Sequence, residues 1–390
     1  MLIGDIATPA LLIDKSRLEF NLLDMQKRAE DNNVRLRPHT KTHKSVAIAK
    51  WQREKGASGL TVAKLGEAET YAEAGFEDIR LAYALVGDDK YERLLALMDS
   101  CNVSFCVDTV EGARAASSYF SKNQVEVDVM IETDVGYGRC GVRYDKPSSL
   151  EFARYIDTLP GLKVRGILTH AGHAYGGPKV GSESKAEALK RVSEEERDRM
   201  LEFAVELRKA EIDAAIDGTL EISIGSTPSL RYFSNKSVAG FSVTEIRPGN
   251  YVFLDMVQVN LGVEPIERCA LTVYATVISK HGNPDMSERF FLDSGKKVLT
   301  SDKAMGSDSF GQILGNARDR IPMPDVQINA LSEEHGWVRV AGKAAVDVLD
   351  RVQVVPNHAC VVVNTQRHMY VVDGEQIVEQ IEVDAQSKVA

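Results

Sequence analysis

The 390-residue sequence predicts an α/β protein in two parts, a (β/α)8 barrel followed by a mainly antiparallel β domain. Three observations predict it. Eight short apolar runs alternate with helical patterns between residues 34 and 246. After Tyr251 the pattern changes to short β-rich runs separated by Gly, Asn, Asp or Pro turns. Reactive side chains cluster just after several of the eight runs, where a parallel barrel gathers its loops around one mouth.

The elements follow in order. Residues 8–14 read as a short apolar strand entered through Pro9, and a helix follows from about Lys15 to Asn32. The eight strand-like runs are 34–37, 60–63, 79–85, 103–107, 127–132, 164–169, 221–224 and 242–246. Segments 66–74 and 111–120 carry apolar residues at helical spacing. Segment 183–210 is heavily charged, which predicts an exposed outer helix with oppositely charged neighbours along it. A doubly wound open sheet has the same periodicity, but the count of eight favours the barrel. The expected boundaries are 14–250 for the barrel and 251–390 for the β domain, which the N-terminal strand in residues 1–13 joins. Runs at 270–278, 289–292, 337–341, 351–355, 359–363 and 369–372 supply the β domain's strands. Residues 301–327, with Gly306, Gly311 and Gly315, read as a long loop.

Composition narrows the function. The chain is 44% hydrophobic and 27% charged, as a soluble globular protein is. A net charge of −10 with acids and bases interspersed argues against nucleic acid or an anionic membrane as partner. No apolar run approaches the ~20 residues that span a bilayer. The start, Met1-Leu2-Ile3-Gly4-Asp5, lacks the pattern of a signal peptide. Five scattered cysteines fit reduced thiols, so a cytoplasmic location is expected.

The densest chemistry lies in Arg37-Pro38-His39-Thr40-Lys41-Thr42-His43-Lys44. Pro38 cannot donate to a ladder, so the first barrel strand ends there. Lys41 then sits just past a strand end. A lysine partly desolvated beside other cations has a lowered pKa and forms Schiff bases. In isolation such a basic stretch is more often a solvated turn. Further groups follow other strands. Residues 132–141 carry three glycines with Arg139. Thr169-His170-Ala171-Gly172-His173-Ala174-Tyr175 supplies two imidazoles and a phenol. Gly225-Ser226-Thr227 after the seventh run and Gly249-Asn250-Tyr251 after the eighth read as a phosphate cradle of backbone N–H groups. Barrels often hold a phosphate there.

In the β domain, His358-Ala359-Cys360 reads as extended chain, and a period of two puts both side chains on one face. Imidazole and thiolate are good zinc ligands. Two are too few for a structural site and suit a catalytic one. Spacing alone more often marks a buried cysteine beside a solvated histidine.

Residues 37–44 resemble the cofactor-lysine signature of the D-serine dehydratase and D-threonine aldolase family, pyridoxal phosphate enzymes related to alanine racemase. Further matches recur through nearly the whole chain. The resemblance implies that Lys41 carries pyridoxal 5'-phosphate, with His39, Arg139, His173 and Tyr175 close to it. Dehydratases of the family have His-x-Cys at the position of His358 and Cys360, where it binds a divalent metal, and typical D-threonine aldolases have His-x-Asp. Zinc is the expected metal, with manganese or magnesium as alternatives. Asp293, Lys297, Asp302, Glu333, Glu334 and His335 also match family positions, with no role assigned. The implied activity is metal-assisted dehydration of D-serine or another β-hydroxy-D-amino acid to a keto acid and ammonia. Retro-aldol cleavage to glycine and an aldehyde is the alternative. A racemase needs a second base that the sequence does not show, and non-catalytic pyridoxal phosphate-binding proteins resemble the barrel alone. The resemblance also implies a homodimer.

Overall fold

The computed structural model describes residues 1–179 and 181–390. The chain divides into two compact units. One comprises residues 25–41, 49–249 and 388–390; the other comprises 1–24, 42–48 and 250–387. The strands, in chain order, are β1 (Ala10–Asp14), β2 (Arg35–Leu36), β3 (Leu60–Val62), β4 (Asp78–Ala84), β5 (Asn102–Val107), β6 (Val127–Asp134), β7 (Val142–Arg143), β8 (Leu162–Leu168), β9 (Glu221–Ile224) and β10 (Glu245–Ile246). They continue as β11 (Leu271–Gly282), β12 (Glu288–Leu292), β13 (Gln312–Asn316), β14 (Ile321–Pro322), β15 (Val326–Leu331), β16 (Gly336–Val340), β17 (Arg351–Val355), β18 (His368–Asp373) and β19 (Gln376–Glu382).

In the first unit the order β2-β10-β9-β8-β6-β5-β4-β3 is parallel throughout. A parallel bridge between His39 and Thr61 joins its two ends, just past β2 and within β3. The eight runs of the sequence are thus eight strands of one barrel, with β7 a short addition to β6. Near-continuous burial of β3, β6 and β9 is what a parallel sheet covered by helices requires. The helix Lys185–Lys209 carries an N-terminal capping box from Ser184 and Glu187. It is not simply an exposed outer helix: Leu189, Val192, Met200, Phe203 and Leu207 are buried along it, and so is Glu196.

The barrel interior holds charge. Glu245, fully buried, accepts from Arg37 Nε at 2.6 Å and from an Arg80 terminal nitrogen at 2.6 Å. Arg80 also reaches Glu221 at 2.6 Å, and Arg37 reaches Asp78 at 2.7 Å. The network ties β4, β9 and β10 to Arg37, which directly follows β2.

The second unit is a mixed sheet of order β14-β13-β17-β11-β1-β18-β19, from which β12, β16 and β15 continue off β11. Every pairing in it is antiparallel except that of β1 with β18. A register shift at Val277 lets the long β11 pair with β17 at one end and β12 at the other. Two expectations are corrected. Residues 301–327 are not one loop, because β13, β14 and the start of β15 fall within them. Residues 359–363 form the short helix Ala359–Val363 rather than a strand. Ala359, Val362 and Val363 are buried, but the buried carboxylate of Asp255 accepts the Ala359 N–H at 2.9 Å and starts a helical turn. Among the described residues no helix is long and apolar enough to cross a membrane.

The arginine partners hold the Glu245 carboxyl far below its ordinary pKa, even though burial opposes ionisation. A depressed carboxylate pKa stabilises the fold above the unfolded value, ~4.3, and that contribution is lost as pH falls toward the folded value. Glu245→Gln is expected to cost about 3–5 kcal/mol at neutral pH, since it breaks a buried pair from one side. A thermal melt should show the loss, and the difference from the parent should shrink on acidification.

Candidate active site

The barrel places its reactive residues beyond the C-terminal ends of its strands. Lys41 lies half-buried in the 3-10 turn Thr40–Thr42, five residues after β2 ends. His39 is buried, and its backbone closes the barrel: its N–H donates to Pro248 O at 3.0 Å while it bridges Thr61. Its ring is turned along the chain, with Nδ1 accepting the Lys41 backbone N–H at 3.4 Å.

Of the two histidines after β8, His170 sits among the predicted groups. Its ring lies 6.0 Å from that of Tyr137 and 6.5 Å from that of Tyr175. Its Nδ1 is 3.3 Å from the carbonyl of Gly225. Burial, then the charges of Lys41 and Arg139, hold its pKa down to about 3. The ring is therefore neutral, and the carbonyl assigns its proton to Nδ1. His173 is directed elsewhere, with Nε2 3.8 Å from Glu195 Oε2 on the helix Lys185–Lys209. The sequence motif contains both histidines at similar distances from the strand, and only the fold separates them. Arg139 is half-exposed, 3.6 Å from the buried carboxylate of Glu132. Cys140 donates its thiol proton to the same carboxylate at 2.8 Å. Asp108, Glu132 and Cys140 are the one group of three potential metal ligands that lie together among the described residues. The adjacent guanidinium and the protonated thiol make it a hydrogen-bonded cluster instead.

The loop after β9 is fully buried from Gly225 to Leu230. Gly225 has φ +131°, and a Cβ there would stand 3.0 Å from Arg247 N, so glycine is required. Its N–H does not point to open space: it donates to Glu196 at 3.0 Å. The Ser226 N–H likewise donates to Ser229 Oγ at 3.2 Å. These two donors of the expected phosphate cradle serve the loop's own shape. Thr227 and Gly249 lie beyond the same strand ends. Arg247 is buried with neutral partners, Ser223 Oγ and Thr169 O, and burial lowers its pKa to about 10.

This donor set fits an anionic cofactor. Lys41, Arg139 and Arg247 all act on a neutral His170, and the charges that shift its pKa are all positive. A phosphate or phenolate is the group that such a field favours.

The other unit holds the His-x-Cys pair. His358 is the extended residue before the helix Ala359–Val363, and Cys360 lies in its first turn. A helical start, not strand alternation, is what brings them together. His358 Nδ1 is 2.5 Å from Asp302 Oδ2, which leaves Nε2 as the other ring nitrogen. Asp302 is one of the family positions whose role the sequence left open. Cys360 Sγ lies 3.1 Å from Thr42 Oγ1 and 3.8 Å from Asn250 Nδ2. Asn250 also donates to Asp255 at 2.6 Å, and its buried Oδ1 has no hydrogen-bond partner among the described residues. The neighbouring Tyr251 is buried in the turn Asn250–Val252. Burial opposes protonation of His358, but hydrogen bonding to Cys360 and the charges of Cys360 and Asp255, with Asp302, push its pKa up to about 10. Negative charge concentrated on an imidazole and a thiol fits a divalent cation of zinc-like softness. Asp293 has a structural part, since it accepts from Thr8 Oγ1 at 2.5 Å and Thr276 N at 2.8 Å.

Comparison with known proteins agrees with both units. The family model for the N-terminal domain of alanine racemase matches residues 13–256, and that for a putative serine dehydratase domain matches 270–372. D-threo-3-hydroxyaspartate dehydratase from Delftia sp. (strain HT23) is 34% identical over 90% of this chain and 90% of its own. D-threonine aldolase from Arthrobacter sp. is 32% identical over 96% of this chain and 91% of its own. A structure of a mutant D-threo-3-hydroxyaspartate dehydratase in the metal-free form superposes with a TM-score of 0.86 at 32% identity, covering 98% of both chains.

Burial, then hydrogen bonding to Glu132, raises the pKa of the Cys140 thiol to about 11. Its alkylation by iodoacetamide, followed by peptide mass across pH, should therefore lag behind an ordinary thiol of pKa ~8.5. Glu132→Gln should shift the profile of Cys140 to lower pH.

Proposed function

The chain belongs to the D-serine dehydratase and D-threonine aldolase family of pyridoxal phosphate enzymes, with an alanine racemase-like barrel, and we propose that it is a metal-assisted dehydratase of a β-hydroxy-D-amino acid. D-Serine, D-threonine and 3-hydroxy-D-aspartate are the candidate substrates, and the products are a keto acid and ammonia. The observation that carries this reading is Cys360 beside His358, the ligand pair of the family's dehydratase branch rather than its aldolase branch.

Lys41 would hold the cofactor's aldehyde and, once freed by the substrate amine, take the α-proton at Nζ. Pyridoxal phosphate, when bound, supplies the electron sink that makes this proton acidic. His170 is neutral, and its Nδ1–H is committed to Gly225, so it offers the cofactor an uncharged face. Arg139, anchored by Glu132, would hold negative charge near the ring. His358 Nε2 and Cys360 Sγ would hold a divalent cation. Its Lewis acidity, which brings bound water from pKa 15.7 to about 7, would assist departure of the β-hydroxyl. Asp302 would set the His358 tautomer, and Thr42 would donate to the thiolate.

Incubation with the three candidate substrates tests the reaction. Keto acid and ammonia are expected; glycine with an aldehyde as the main products would establish the aldolase instead. Chelation or Cys360→Ala should abolish elimination by at least about 100-fold while the visible absorbance of the bound cofactor persists. Full activity in metal-free protein would discard the metal's part. Asp302→Ala should weaken zinc binding by about 10–100-fold, measured by competition with a chromophoric chelator.

A further inference from the structure

Glu196 is a carboxylate where the charged helix Lys185–Lys209 would be expected to bury only apolar groups. It is 1% exposed. Among the described residues no arginine or lysine pairs with it directly. Instead three donors converge on it from two loops. Oε1 accepts the Ala171 N–H at 3.2 Å and the Gly225 N–H at 3.0 Å, and Oε2 accepts the Ser229 hydroxyl at 2.7 Å. Ser229 Oγ in turn accepts the Ser226 N–H at 3.2 Å. The Gly225 carbonyl takes the His170 ring at 3.3 Å. One side chain therefore spans the loop after β8 and the loop after β9, and sets the peptide planes of Gly225 and Ser226. Burying a carboxylate is costly, and apolar packing would serve helix docking better. The arrangement makes sense where the loop's shape matters more than the helix's stability.

We propose that Glu196 is a positioning residue for the cofactor's phosphate: its hydrogen bonds hold the 225–229 loop in the one conformation that receives the phosphate. This rests on the reading of the barrel as a pyridoxal phosphate site. Glu196 itself does not touch the cofactor; it works through Gly225, Ser226 and Ser229. Without the carboxylate, the two N–H groups and the hydroxyl lose their acceptor and the loop relaxes.

The test compares pyridoxal 5'-phosphate with pyridoxal, which lacks the phosphate, by titrating each into cofactor-stripped full-length protein and following visible absorbance. Glu196→Ala should weaken pyridoxal phosphate by about 10–100-fold, as loss of hydrogen bonds to a charged group does, and change pyridoxal affinity by less than about 3-fold. Glu196→Gln keeps an oxygen for the two N–H groups and should restore most of the discrimination. Ser229→Ala cuts only the link to Ser226. It should lower phosphate selectivity by a few fold, and it decides the matter if Glu196→Ala does not fold. A loss shared equally by both ligands would make Glu196 a merely structural residue and overturn the proposal. So would unchanged selectivity in the folded variants. Failure of the parent protein to take up pyridoxal phosphate would instead remove the reading of Lys41 on which the proposal depends.

Discussion

A charge removed from water must be answered by an opposite charge or by converging donors, and that constraint shapes each part of this protein. Inside the barrel, Glu245 is answered by Arg37 and Arg80. Because Arg37 directly follows β2 and Arg80 lies on β4, the ion network ties the arrival of both at β10. Hydrophobic filling would pack such a barrel as tightly, but it would not specify partners in the same way. The cost of desolvation makes an incomplete network much worse than none.

The same constraint operates with the opposite outcome at the strand ends. Burial first, and then the charges of Lys41, Arg139 and Arg247, depress the pKa of His170. A positive field in a protected place favours an anion. In the other unit, Cys360, Asp255 and Asp302 surround one imidazole. There the charges are negative, which favours a cation.

Hydrogen-bond donors converge on two further carboxylates. Asp255 accepts from Asn250, Gln258 and Ala359, and so starts the helices Met256–Leu261 and Ala359–Val363 together. Glu196 does the same for two loops. Glu196 lies 25 or more residues from each of its partners, and Asp255 reaches Ala359 from 104 residues away. Each looks unremarkable in a local window, Glu196 because it follows Glu194 and Glu195 in a run of surface-like charge.

The sequence by itself determined the period and number of the barrel strands, the change to β-rich structure after Tyr251, and the placing of Lys41 beyond the end of β2. These are local properties: an apolar run, a proline or a glycine turn acts on its own neighbours. It also singled out His358 and Cys360 as a pair. Only the tertiary structure decided that His170 rather than His173 stands by Gly225, that residues 359–363 coil into a helix, and that Glu196 is buried. Each of those depends on which donors, charges and side chains converge from segments tens to hundreds of residues apart. A sequence window records a residue's ability to be buried or paired, but the partner that settles its role lies outside the window.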